Sequence, residues 1–178
     1  DIKNDFKLQY VATPVDAMQM LILRRADHAL LAEPAISIAL RKTGSFPVKL
    51  IAPDLYRSIN LQEEWGRLYK IEAKIPQAGL AIIGDTNGKE ELISKVLAEY
   101  DKSLAWYKNN KEEASKLVVK TLPMLEEKGL ADSIEHVRFE NINAIKSKKD
   151  LEFFFDILMQ NDSKLIGGKL PNEDFYYK

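Results

Sequence analysis

Thr13 and Glu33 are the residues best placed for ligand binding, because each stands where a predicted strand gives way to a predicted helix. The first N–H groups of a helix are unpaired and carry partial positive charge, so a helix start favours ligand capture. In open α/β sheets, ligands bind beyond the carboxyl ends of the strands, where such helix starts point. Thr13 serves equally well as a plain helix cap. Glu33 either receives a ligand cation or hydroxyl group or pairs with a basic residue.

The sequence lacks the residues or motifs that thiol chemistry, metal binding, serine hydrolysis and nucleotide binding require. The chain has no cysteine, which excludes disulfides, thiolate nucleophiles and cysteine metal sites. The two histidines, His28 and His136, have no second ligand at a metal-binding spacing such as H-E-x-x-H. No G-x-S-x-G, Walker loop or G-x-G-x-x-G sequence is present. We therefore predict no catalytic residue, no metal site and no cofactor.

The sequence around Thr13 and Glu33 predicts alternating strands and helices. Residues 6–12 alternate apolar and polar side chains, which is typical of a strand. Residues 13–16, TPVD, form a capping box with proline at the first helical position. Residues 28–32 are short and apolar enough for a buried strand, and a second helix follows until Thr43 and Gly44. This alternation predicts an α/β layer with a parallel sheet.

The remaining sequence predicts two more strands and then a mostly helical second half. Residues 47–52 and 76–84 have the apolar, turn-bounded pattern of strands, and Asn60 is suited to cap a short helix between them. Helices are predicted over residues 89–108, 111–121, 123–137 and 147–160. In the first of these, a core stripe at helical spacing is predicted for Leu92, Val96, Tyr100, Leu104 and Tyr107.

Aromatic residues favour packing over a ligand box. The stripe of Phe153, Phe154, Phe155 and Leu158 has a helical spacing that fits core packing before an aromatic ligand box. Trp65 and Tyr56 either pack in the interior or form the aromatic wall of a cleft.

Composition predicts a globular chain without nucleic-acid partners. Apolar residues make up 46% and charged residues 30% of the 178 positions, and no run of eighteen apolar residues occurs. The 26 basic residues are balanced by 27 acidic ones, so no overall field attracts nucleic acid. The chain starts at Asp1 without an initiator methionine, which suggests a fragment.

Residues 24–35, RRADHALLAEPA, resemble a G-x-x-D-x-x-L-L-x-E-P-A pattern of the periplasmic solute-binding proteins of ABC importers, of the nitrate, sulfonate and taurine type. The sequences IPQAGLAIIG, AWYKNNKEEASKLV and IGGKLPNEDFYY resemble the C-terminal half of the same family. The resemblance implies a type II periplasmic-binding-protein-like α/β fold, in which two lobes with parallel or mixed sheets hold a solute between them.

On this resemblance, residues 1–74 belong to lobe two, residues 75–78 form a crossing segment, and residues 79–178 complete lobe one with a helical tail. Gln77, within the crossing segment, then joins Thr13 and Glu33 as a ligand-binding candidate. The implied partners are a small-molecule ligand and an ABC permease in the membrane, and the implied location is periplasmic or extracytoplasmic. Because the opening strands of lobe one are missing, exposed apolar edges predict a dimer or a companion fragment.

Two other functions share the implied fold. A thiamine-pyrimidine-synthase-like enzyme would need a catalytic histidine and a cysteine-rich iron site, and the chain has no cysteine. An effector-binding domain of a transcription regulator would need a helix-turn-helix upstream of this sequence.

Overall fold

The computed structural model describes residues 5–177, and regular structure in that range is helical. Asp1 to Asn4 and Lys178 lie outside the described residues, and with them the chain start on which the fragment hypothesis depends. The α-helices are α1 (Pro14–Ile22), α2 (Ala35–Gly44), α3 (Leu61–Tyr69), α4 (Glu90–Asn109), α5 (Lys111–Thr121), α6 (Glu127–Ser133) and α7 (Ala144–Asn161). Short 3₁₀ helices cover Val48–Leu50, Ile134–His136, Ser163–Ile166 and Glu173–Phe175.

The chain divides into two compact units, and the first comprises residues 1–57 and 102–139. Its core forms where α1 packs on α2, through Met18, Ile38 and Ala39. Helix α6 also packs on α2, at Gly129, where a Cβ atom would lie within 3 Å of Ile38. Arg41 fixes the same pair of helices by donating from Nε and Nη2 to the two carboxylate oxygens of Asp132, at 2.9 and 2.8 Å.

The second unit comprises residues 58–101 and 140–178. Trp65 and Tyr69 of α3 contact Phe153 of α7 edge to face, with ring centroids 5.9 and 5.3 Å apart. Gly66 lies against the backbone of Ala73, which holds the chain after α3 close to that helix. Aromatic rings therefore pack on one another in this unit, although no residue of α7 is fully buried.

The predicted α/β fold is wrong: the described residues contain no strand and no sheet, so they are not a type II periplasmic-binding-protein-like fold with sheets. Residues 6–12, 28–32 and 76–84 are irregular, and Val48–Leu50 within the predicted third strand is a 3₁₀ turn. A strand is stable only when a neighbouring strand pairs with its backbone, and alternation in the sequence does not supply that neighbour. Leu30 and Ile83, expected inside a sheet, are 80% and 96% exposed.

Most of the predicted helices are confirmed, whereas the predicted core stripe of residues 92–107 is wrong in its first half, and only Leu104 and Tyr107 in its second half are half-buried. Predicted helices 89–108 and 111–121 agree closely with α4 and α5, and Asn60 caps α3 as expected, accepting from the Gln62 N–H at 3.0 Å. In α4, however, Leu92 and Val96 are more than half exposed and Ile93 is buried instead. The stripe identifies an apolar face of the helix. Which of its side chains are buried depends on the elements that pack against the helix.

The lobe assignment of residues 1–74, 75–78 and 79–178 stays a prediction. Helix α4 belongs to both compact units, since its residues up to Asp101 cluster with the second and those from Lys102 with the first. Within residues 5–177, no helix combines the length and the apolar character that crossing a bilayer requires.

Candidate functional site

The start of α2 is held by the carboxylate of Glu33, which lies one residue before the helix cap. Pro34 occupies the cap position, and its side chain has no hydrogen-bonding group to offer the helix. Glu33 supplies what proline lacks, because its Oε2 accepts the backbone N–H of Ser37 at 3.1 Å. A carboxylate beside the positive end of a helix is electrostatically favourable. The side chain of Glu33 is only 9% exposed, so it is an interior group.

Arg57 completes a three-residue cluster with Glu33 and Ser37. Its Nη2 donates to Glu33 Oε1 at 2.6 Å and to the Ser37 hydroxyl at 2.8 Å. Ser37 is buried and the arginine side chain is 37% exposed, so the guanidinium forms the outer surface of the cluster. Because Glu33 is paired, its charge does not lie unbalanced in the interior.

The guanidinium of Arg57 retains donors that the cluster does not use. A guanidinium carries five N–H groups in a planar fork, and both hydrogen bonds within the cluster come from Nη2. Among the described residues, Nε and Nη1 have no hydrogen-bond partner. This fork matches the geometry of a carboxylate, sulfonate or similar oxyanion. The cluster can therefore present a fixed, half-exposed cation to a small anionic ligand.

Thr13 is engaged in capping α1. Its hydroxyl accepts the Asp16 N–H at 3.2 Å and donates to Asp16 Oδ2 at 2.8 Å. The same carboxylate oxygen accepts the Thr13 N–H at 3.0 Å, which completes the predicted capping box. The hydroxyl proton and one lone pair are used locally, and the exposed side chain keeps one lone pair for another donor. A ligand-binding role for Thr13 stays a prediction.

Gln77 lies in the second unit, on an exposed irregular segment. No hydrogen bond connects it to another residue in the range 5–177, and its ligand-binding role also stays a prediction. Of the two aromatic candidates, Tyr56 is 80% exposed and Trp65 packs among the rings of the second unit. The structure thus brings Glu33 together with Ser37 and Arg57, and places Thr13 at the start of the neighbouring helix of the same unit.

Arg57 is the site residue that the sequence reasoning missed. The proposal that Glu33 pairs with a basic residue named no partner, although Arg57 is the only basic residue between Lys49 and Arg67. The sequence offers no local signal for this pair, because 24 residues separate Glu33 from Arg57.

No family model, curated protein sequence or solved structure matches this chain. In the part of the chain that the structure describes, no three histidine, aspartate or glutamate side chains gather as a metal site requires.

Proposed function

We propose that this chain is the solute-binding component of an ABC importer, which captures a small ligand and delivers it to a membrane permease. The observation that carries the proposal is the Arg57 guanidinium, fixed by Glu33 and Ser37 and retaining unused donors at the surface. The resemblance of residues 24–35 to solute-binding proteins supports the same function. The E-P pair of that pattern is Glu33-Pro34, and Glu33 is the residue that holds Arg57.

The ligand that suits this site is a small singly charged oxyanion. An oxyanion accepts two parallel hydrogen bonds from a guanidinium, and such charge-assisted bonds are about twice as strong as neutral ones. The arginine stands near the N-terminus of α2, where the helix dipole adds to its positive potential. The single negative charge of Glu33 faces both Arg57 and the start of α2, so the positive charge around it exceeds it by about half an elementary charge.

Ligand-dependent stabilisation tests the proposal. Thermal unfolding would be followed with nitrate, taurine, a panel of amino acids and pyrimidines, each over a range of concentrations. Stabilisation at saturating ligand is expected, and at a hundred times Kd it amounts to about 2.7 kcal/mol. Absence of stabilisation by every member of the panel would contradict the proposal.

Two matched variants locate the binding. Arg57→Lys keeps the charge beside Glu33 and loses the planar fork, so we expect affinity to fall about tenfold or more. Arg41→Lys makes the same change near the other end of α2, where the arginine is paired with Asp132, and should leave affinity unchanged. Equal losses in both variants would show that the effect is not specific to the cluster. Circular dichroism would confirm that both variants are folded.

We propose a periplasmic or extracytoplasmic location, with association to the membrane through the permease. Osmotic shock of cells that express the natural gene is the direct check. The protein is expected in the shock fluid, and retention inside the spheroplasts would contradict this location.

A further inference from the structure

Residues 77–83, QAGLAII, form the most exposed apolar segment of the second unit. They belong to no helix or strand, and Leu80, Ile82 and Ile83 are 60%, 46% and 96% exposed. No hydrogen bond joins the backbone of these residues to any other residue within 5–177. The segment therefore offers a row of free N–H and C=O groups beside three large aliphatic side chains.

Nothing in the segment opposes pairing with another backbone. Exposed strand edges in natural proteins are guarded by charged side chains, proline or bulges. The stretch from residue 75 to residue 84 has no charged side chain, and its one proline is Pro76, outside the pairing residues. The nearest charged residues are Lys74 and Asp85, which flank it. A second copy of the segment brings the same free groups and equally little repulsion.

We propose that two copies of this chain associate through residues 79–83, which pair as antiparallel strands about a two-fold axis at Ala81. The pairing supplies backbone partners to both segments at once, as in β-strand addition. The proposal concerns assembly and is independent of ligand binding at Arg57.

The side chains select this register. With Ala81 opposite Ala81, Leu80 stands opposite Ile82 of the other copy, so four large aliphatic side chains gather on one face of the paired strands. On the other face, Ile83 stands opposite Gly79, where the missing side chain leaves room for it. Cross-strand aliphatic pairs of this kind are the stabilising unit of an antiparallel sheet.

Single cysteines test the register without background, because the chain has none. Opposed residues in antiparallel strands have Cα atoms about 4.5–5.5 Å apart, within the range of a disulfide. In the Ala81→Cys variant the two thiols face each other, and mild oxidation should give a covalent dimer. In the Ala78→Cys variant the thiols lie six residues apart along the ladder, about 20 Å, and should not be linked.

Every other cross-linking result overturns the proposal. Equal linking of both variants indicates random collision or parallel pairing, and no linking of either indicates that the segments do not meet. Both positions are exposed, so neither substitution disturbs packing within one copy.

Charge exchange at Ala81 supplies a second test in solution. Ala81→Lys and Ala81→Glu each place like charges opposite each other, and sedimentation equilibrium should show dimerisation weakened about fivefold. Mixing the two variants should restore the dimer as a mixed species. Ile51→Lys, at a side chain 75% exposed in the first unit, should leave dimerisation unchanged. A monomeric wild-type protein at high concentration, failure of the mixture to recover, or an equal effect of Ile51→Lys would overturn the proposal.

Discussion

Gly129 shows how closely α6 approaches α2. A Cβ atom at this position would lie 2.8 Å from the Cα and 2.9 Å from the Cγ1 of Ile38. The closest of these atoms is backbone, so it cannot move aside as a flexible side chain does. The residue is glycine because the two helices meet there.

Gly129→Ala should therefore destabilise the protein by about 1–3 kcal/mol, the usual cost of overpacking a core. Gly44→Ala is the matched control, because a Cβ at the end of α2 meets nothing within 4 Å. That change should be neutral or stabilising by up to about 1 kcal/mol. Urea denaturation of both variants measures the difference, and a loss of stability in Gly44→Ala as large as that in Gly129→Ala would contradict the packing described.

Ionisation of the Tyr176 hydroxyl group makes the free energy of unfolding depend on pH. Burial raises the pKa of its hydroxyl group above the usual value, and Glu152, which accepts from that hydroxyl at 3.3 Å, raises it further. A pKa raised in the folded state gives stability that is complete below the unfolded pKa, near 10, and is lost as the pH rises through the folded pKa.

We expect Tyr176→Phe to reduce the loss of stability between pH 8 and pH 11. Part of the loss should remain, because the pKa of Tyr107 is also raised by burial. Urea unfolding at the two pH values measures the effect for wild type and variant. An unchanged pH dependence in Tyr176→Phe would show that this hydroxyl group does not couple to folding.

The residue scale also shows what the sequence could predict of the candidate site. The capping role of Thr13 follows from its local sequence, because every group involved lies within four residues. Glu33 and Arg57 are 24 residues apart in the sequence. Their pairing depends on the tertiary fold, which the local sequence does not specify.

At the scale of the element, helix ends are marked by local hydrogen bonds. Asn60 and Asn143 cap α3 and α7 as Thr13 caps α1, each by accepting backbone N–H groups of the first turn. Such caps use the donors that a helix start otherwise leaves unpaired. Local signals of this kind allow the helices to be predicted from sequence, with errors of up to four residues at their ends: the helix predicted from residue 147 begins at Ala144, after a cap at Asn143 that the prediction missed.

Thr13→Ala should cost about 1 kcal/mol of stability, the typical contribution of a threonine cap. Thr121→Ala is a suitable control, since Thr121 is the exposed last residue of α5. Thermal denaturation should show a lower Tm for the first variant and a near-normal Tm for the second. If Thr13→Ala keeps the wild-type Tm, the capping box contributes nothing measurable.

Apolar segments were less predictable than helix ends. Residues 28–32 and 76–84 have the composition of buried strands, and the pattern of α4 indicates a core stripe at Leu92 and Val96. Whether such residues are buried is decided by long-range contacts, which short-range periodicity does not contain. Apolar composition therefore does not predict burial by itself. An apolar segment that remains exposed is instead a candidate for pairing with another chain.

At the scale of the whole molecule, the absence of sheet among residues 5–177 is the feature most at odds with the sequence-based fold. Far-UV circular dichroism distinguishes the two through the strand fraction obtained by fitting the spectrum. We expect the paired minima of a helical protein near 208 and 222 nm, without a strong strand contribution. A fitted strand fraction of about a fifth or more, typical of sheet-containing domains, would support the α/β expectation instead.

The central claim is that Arg57 belongs to a site for a small anionic ligand. Native mass spectrometry of the gently purified protein tests it most directly, because a bound solute adds its mass to the intact protein. We expect wild type and Arg41→Lys to carry the same small anion and Arg57→Lys to have lost most of it. Equal occupancy in Arg57→Lys and wild type, or no bound anion in any of the three even after nitrate or taurine is added, would contradict the claim.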